Sequence, residues 1–369
     1  MRKNPTKTIN NKNEKTLNLL VIRFSSMGDV ALTVPVIKGL LDLNDRLFIT
    51  LATRPLYAPF FEGIPRLDLF ICDFDGEYAG LKGIFRLFKN LKSRKKYDSV
   101  IDLHGVLRTR ILNMLFQSSG LNIHSINKGR DEKKQLIRGK IFRPLKNTLE
   151  RYVETFSSFN LKFNFPDTPV LMVRDDSVRE ADIFIRQKGV ADEILIGVAP
   201  FTLHELKTWP LQYTEQLIQL LENRFNAFVF LFGGAEKEIM LLEKLSRGHP
   251  KRMNLAGKFS LGTQLAFIQK MKFMVTMDSA NMHLAALSGI KTVTIWGGTH
   301  PYAGFSAYQQ AGERNIQISK KELPCRPCTV FGAGTCKRGD FACMNWLTPQ
   351  VVYEKIRAMN LLENGSDKM

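Results

Sequence analysis

No apolar run in this 369-residue chain approaches the ~18–20 residues that a helix needs to cross a bilayer. Met1 to Lys15 are polar and basic, without the apolar core of about 7–15 residues that marks a secretory signal. Prolines number only 15, and with 44% hydrophobic and 24% charged side chains the composition excludes a disordered chain. Five cysteines in a chain without an export signal are expected as thiols in a reducing cytoplasm, not as a disulfide framework. Glycine is short where a dinucleotide fold would need it. The first strand runs into Arg23-Phe24-Ser25-Ser26-Met27-Gly28-Asp29-Val30, which holds Gly28 alone, so the Gly-x-Gly-x-x-Gly fingerprint is absent.

Acids are the largest shortage, 35 Asp+Glu against 53 Lys+Arg, for a net charge of +18. The surplus is local: residues 1–16 carry five basic and one acidic side chain, and residues 82–151 carry eighteen and five. A basic surface of this kind calls for an anionic partner, whether nucleic acid, lipid headgroups or a phosphorylated substrate. A solvated face with no partner is the bland alternative. No nucleic-acid motif or interleaved aromatic stacking platform accompanies the charge, so no nucleic-acid partner is expected.

Apolar runs alternate with helical spacing along the chain. Leu17–Arg23 reads as a buried strand, Gly28–Leu43 as a helix and Arg46–Leu51 as the next strand; Asp98–Leu103 and a helix near Arg108–Phe116 follow. The pattern restarts at Glu193–Ala199 and runs to Thr292–Trp296. Such repetition indicates right-handed βαβ units on parallel sheets. The expected organisation is a disordered basic tail over 1–16, a Rossmann-like domain over 17–165, a linker over 166–192, a second Rossmann-like domain over 193–347, and a helix and tail over 348–369. Thr348 is the expected N-cap of that last helix, with Pro349 at its first position.

Open parallel sheets bind ligands at the carboxyl ends of their strands. Asp29 lies at the first such end, near a helix N-terminus that favours its anion, and is placed to act as a general base. Its competing role is helix capping. Thr202 and Lys207 follow the strand ending at Ala199 and suit the oxygens of a diphosphate, although Lys207 also fits a plain loop. Asp278-Ser279-Ala280-Asn281-Met282-His283 opens a helix whose free N–H groups can hold an anion; there His283 is as readily a structural residue. Gly234 with Glu238, and Gly257 with Lys258, mark two further strand ends. Five polar strand ends converging on one cleft persuade more than any single motif.

Together, Ser25–Val30 with Pro35, Thr202…Lys207-x-Trp209-Pro210, Asp278-Ser279-Ala280-x-x-His283 and Trp296-Gly297-Gly298-Thr299-His300-Pro301 resemble glycosyltransferase family 9, the ADP-heptose:lipopolysaccharide heptosyltransferases. The likeness runs in order from about residue 18 to 357. It implies a GT-B fold, two Rossmann-like doubly wound domains facing a central cleft, and transfer with inversion and without a metal or other required cofactor. It further implies Asp29 as the base on the acceptor hydroxyl, Thr202 and Lys207 on the diphosphate, and Asp278, Ser279, Ala280 and His283 at the sugar and phosphates. Glu238 is matched to the ribose, with Glu236 as near in sequence, and Gly257 to the donor side. The implied partners are an ADP-sugar donor and an anionic glycolipid acceptor, met peripherally at the cytoplasmic face of the inner membrane. A non-catalytic nucleotide-sugar binder and a basic nucleic-acid binder are the competing readings.

Two metal readings follow from residue types. Asp73-Phe74-Asp75 matches an Asp-x-Asp metal motif but stands in a turn-like stretch, and is discounted. Cys325, Cys328, Cys336 and Cys343 have a spacing that resembles a structural zinc site, although the later pair lacks the usual Cys-x-x-Cys. Free or redox-linked thiols are the favoured reading, and structural zinc the alternative.

Overall fold

The computed structural model describes residues 16–362. The basic tail expected over 1–16 therefore lies, apart from Thr16, outside the described residues. The N-terminal domain holds strands β1 (Leu17–Ile22), β2 (Leu47–Thr53), β3 (Leu67–Ile71), β4 (Ser99–Asp102) and β5 (Asn122–Ser125), all parallel, in the order β3-β2-β1-β4-β5. Around them lie α1 (Met27–Ala31), α2 (Thr33–Leu43), α3 (Gly80–Arg94), α4 (Leu107–Ser118), α5 (Arg130–Ile137) and α6 (Thr148–Thr155). β1 is central, and its Leu19–Ile22 run is fully buried because helices cover both faces of the sheet.

A helix α7 (Asp175–Gln187) leads into the second sheet: β6 (Ile194–Ala199), β7 (Ala227–Leu231), β8 (Arg252–Asn254), β9 (Phe273–Met277), β10 (Lys291–Ile295) and β11 (Asn315–Ile316). These strands are also parallel, in the order β11-β10-β9-β6-β7-β8. The accompanying helices are α8 (Leu211–Phe225), α9 (Glu236–Ser246), α10 (Leu261–Lys270), α11 (Ala280–Leu287), α12 (Ala342–Asn345) and α13 (Pro349–Ala358). Thr348 caps α13, its hydroxyl accepting from the Val351 N–H at 3.4 Å.

Two differences from the sequence reading have local causes. The single helix expected over Gly28–Leu43 is two, broken at Leu32; the Thr33 hydroxyl bonds the Val30 carbonyl at 2.7 Å, and such back-bonding bends helices. The stretch read as a linker contains α7, which docks on α10: the Phe184 ring lies 5.6 Å from Phe267, and Asp182 pairs with Lys270 at 2.7 Å. Residues from about 175 onward therefore pack with the second domain.

The domains meet directly. α1 lies against α11, the Thr148 hydroxyl donates to the Gly304 carbonyl at 3.2 Å, and Tyr308 donates to the Pro166 carbonyl at 2.5 Å.

Candidate functional site

Each sheet has one point where strand order reverses, between β1 and β4 in the first and between β6 and β9 in the second. At such a switch point the loops leave in opposite directions and open a crevice at the carboxyl ends. Asp29 follows β1; Thr202 and Lys207 follow β6; Asp278 to His283 follow β9. The sequence-derived residues thus stem from both switch points.

Asp29 is held by its own strand end. The Arg23 guanidinium lies 2.5 Å from its carboxylate and the Ser26 hydroxyl donates to it at 3.0 Å. Burial pushes the Asp29 pKa up, but Arg23, Ser26 and His283 outweigh it and hold the carboxyl below its ordinary value. Arg23 in turn donates to the Leu103 carbonyl at 2.5 Å, and the Tyr152 hydroxyl donates to the Asp29 carbonyl at 3.1 Å. Arg23 stands two residues before the motif that carries the resemblance, and spacing alone gives no reason to single it out.

Across the junction, the Lys207 ammonium lies 3.4 Å from Asp278, and both side chains are largely buried. Asp278 also accepts from the Thr299 hydroxyl at 2.8 Å. The His283 ring sits among Asp278, Asp29 and Lys207, each of which acts on it electrostatically, and burial holds its pKa below the ordinary value. Gly28 makes this approach possible: a Cβ there would lie 2.9 Å from the His283 ring and 3.3 Å from the Ala280 backbone. Ser279 holds the N-cap position of α11, its hydroxyl buried without a partner, and His283 Nδ1 is likewise unpartnered. Buried polar atoms without protein partners are uncommon, and each calls for a cause such as a bound water, an ion or a functional role.

Other expected residues are engaged locally. The Thr202 hydroxyl donates to the His204 carbonyl at 2.7 Å and lies 3.0 Å from the Thr208 hydroxyl, closing the loop that presents Lys207. One Glu238 oxygen accepts from the Gly234 and Ala235 N–H groups at the start of α9. Gly257 has φ +74 and faces Ile239 so closely that a Cβ would lie 2.7 Å from it. Asp73 is a turn former, accepting from the Asp75 and Gly76 N–H groups.

Cys325, Cys328, Cys336 and Cys343, the residues of the zinc alternative, lie near enough to act on one another electrostatically, and as placed no three His, Cys, Asp or Glu side chains among the described residues form a metal-holding group. Cys343 is buried in apolar packing, Cys328 lies against Gly298, Cys336 is half-buried and Cys325 is exposed. Among them Arg326 is buried and donates to the Gly297 and Thr299 carbonyls, fixing the loop after β10. Burial lowers its pKa to about 10.

A cavity of about 510 Å³ opens beside the Asp29 loop, lined by Ser25, Arg54, Leu81, His104, Leu107 and Arg108 among others. The Ser25 hydroxyl lies 3.2 Å from His104 Nε2, and burial pushes that imidazole down to about 4. Another cavity, of about 470 Å³, between Glu62 and Arg179, holds none of the expected site residues.

Two parallel-sheet Rossmann-like domains joined at facing switch points constitute the GT-B architecture. Residues 84–333, more than half of the chain, match the profile of glycosyltransferase family 9 (heptosyltransferase), and the chain belongs to that family. Two lipooligosaccharide heptosyltransferases 2 of Campylobacter jejuni are similar to it. One is 30% identical over 174 residues, covering 46% of this chain and 52% of that protein. The other is 28% identical over 169 residues, covering 45% and 51%. The chain spans about half the length of these curated relatives. The fold is shared with a family 9 glycosyltransferase from Veillonella parvula at TM-score 0.74, with 18% identity over 95% of this chain and 99% of that one. It is also shared with E. coli ADP-heptose lps heptosyltransferase II at TM-score 0.65, with 18% identity over 94% and 98%.

Proposed function

We propose that this chain is an inverting glycosyltransferase that moves a heptose, or a closely similar sugar, from an ADP-sugar to a lipopolysaccharide-core-type glycolipid. The observation that carries the reading is the meeting of Asp29, His283, Asp278 and Lys207 from two opposed switch points, beside the unpartnered Ser279 hydroxyl. The family's profile and relatives supply the sugar class.

In the proposed reaction Asp29 accepts the proton of the acceptor hydroxyl as its oxygen attacks the anomeric carbon. The bond from that carbon to the diphosphate oxygen breaks on the opposite side, and its electron pair leaves with ADP, which inverts the configuration. A carboxylate held at low pKa is a weak base but is fully ionised, and the hydroxyl becomes acidic as the new C–O bond forms. Lys207, the Ser279 hydroxyl and the N–H groups opening α11 receive the charge that develops on ADP, so no metal is called for in this scheme. Thr202 supports the loop that carries Lys207, Asp278 and Ala280 border the sugar, and His283 spaces donor from base. Glu238 offers its second oxygen to the ribose, and Gly257 lets the β8 exit loop lie close to α9.

The glycolipid would be met at the cytoplasmic face of the inner membrane. No helix among the described residues is long and apolar enough to cross a membrane, so the contact in this reading is peripheral.

Melting shifts with a panel of sugar nucleotides test the donor class. Binding stabilises by about 2.7 kcal/mol at a hundredfold excess over Kd, so ADP-sugars raise Tm while UDP- and GDP-sugars leave it in place. No shift with any nucleotide overturns the reading.

A further inference from the structure

We infer that the paired outer faces of α3 and α4 are the surface that lies on an anionic lipid bilayer, with the 510 Å³ cavity opening between them toward it. This rests on the glycolipid-acceptor reading above and names where the lipid lies.

The core-facing stripes of both helices are already accounted for: Gly83, Ile84, Leu87 and Leu91 on α3, and Thr109, Leu112, Asn113 and Phe116 on α4, are buried. Leu81 and Phe85, one turn apart on α3, and Leu107 and Met114, two turns apart on α4, are large apolar side chains each more than half exposed. They add a second apolar surface to helices whose first is spent on the core. Leu81 and Leu107 stand on the cavity wall, with Ile84 and Ile111 deeper. An apolar rim around a cavity mouth is unlike singly scattered surface leucines and marks an interaction site.

Charge selects the occupant. The two helices carry seven Lys and Arg and no Asp or Glu. Lys82, Arg86, Lys89 and Lys92 are exposed along α3. Apolar side chains entering the headgroup boundary with a cationic surround is the pattern by which a helix lies in the plane of an anionic membrane. In that pose the cavity mouth faces the layer in which a glycolipid is anchored. The cavity lining includes Ser25, four residues before Asp29, and His104 beside it.

Co-sedimentation of the full chain with vesicles of phosphatidylethanolamine and phosphatidylglycerol, against vesicles of phosphatidylcholine alone, tests the assignment. The unaltered protein is expected to partition onto the anionic vesicles and not onto the neutral ones. Phe85→Ser with Met114→Ser, neither of which lines the cavity, lowers that partition at least tenfold. The pair leaves Tm unchanged and transfer to a delipidated, water-soluble acceptor within twofold. Lys82→Glu with Lys89→Glu lowers binding through charge alone. Vesicle binding that survives both pairs, or no binding by the unaltered protein, overturns the inference. Vesicle binding that is lost as expected in a protein showing no melting shift with any sugar nucleotide would keep the surface and sink the function.

Discussion

The Arg23 guanidinium stands 2.5 Å from the Asp29 carboxylate, one at the end of β1 and the other in the first turn of α1. Arg23 is buried and its partner is only partly so, which leaves Asp29 anchored on one side and open on the other. A base held this way is charged before substrate arrives and fixed in direction. Its weakness as a base is the counterpart of its readiness.

Asp29→Asn keeps the shape and the Ser26 contact but removes the proton acceptor. Turnover should fall by about 10²–10⁴, the usual range for a general base, while the melting shift with ADP-sugar stays as in the unaltered protein. Single-turnover kinetics beside the melting curve separates the two, and near-normal turnover would end the assignment of Asp29.

Removing the cation tests the pKa. Arg23→Met takes away the group that favours the Asp29 anion, so the acid limb of the kcat/KM profile should move to higher pH. The sign for stability follows from the same shift. Asp29 is more acidic folded than unfolded, so the pair stabilises above the ordinary carboxylate range and its contribution fades as pH falls through the folded value. Breaking a fully buried pair costs about 3–5 kcal/mol; with the Asp29 side chain 31% exposed, about 2–3 kcal/mol is expected at pH 7. Denaturant melts at pH 7 and pH 3 check it: the difference between variant and parent should shrink in acid.

Lys207→Met keeps most of the side-chain volume against Gly332 and removes the charge. A loss of about 10²–10³ in kcat is expected if Lys207 compensates the leaving diphosphate, with a weaker effect on ADP-sugar affinity. Since Asp278 would then keep only Thr299, the double variant Lys207→Met with Asp278→Asn should recover stability without recovering turnover. Recovery of both would make the pair structural.

The parallel sheets were legible because buried strands leave continuous apolar runs, and β6 (Ile194–Ala199) falls within its expected run Glu193–Ala199. Helix α3 was missed: Leu81 and Phe85 fall outside its core stripe, which broadens the apolar pattern and blurs the helical period. Helix α7 hid among turn residues because only Ala181 and Ile185 of its thirteen residues are buried. At the site, residue types named Asp29, Lys207 and Asp278, but not what each one faces. Arg23 beside Asp29, and the Thr202 hydroxyl turned into its own loop, depend on which rotamers the packing allows.

Gly28 is one place where the two domains pack closely. In a helix, Ala is favoured over Gly by about 1 kcal/mol, so Gly28→Ala gains locally in α1. The added methyl, however, would stand 2.9 Å from His283 and 3.3 Å from the Ala280 backbone, and the second contact cannot be relieved by a rotamer. The gain and the clash oppose each other in stability, which should change by less than about 1–2 kcal/mol. They do not oppose each other in catalysis, where a displacement near 1 Å costs about a hundredfold. Gly28→Ala should therefore melt close to the unaltered protein and turn over at least tenfold more slowly. A variant as active as its parent would mean that α1 and α11 need not touch for the reaction.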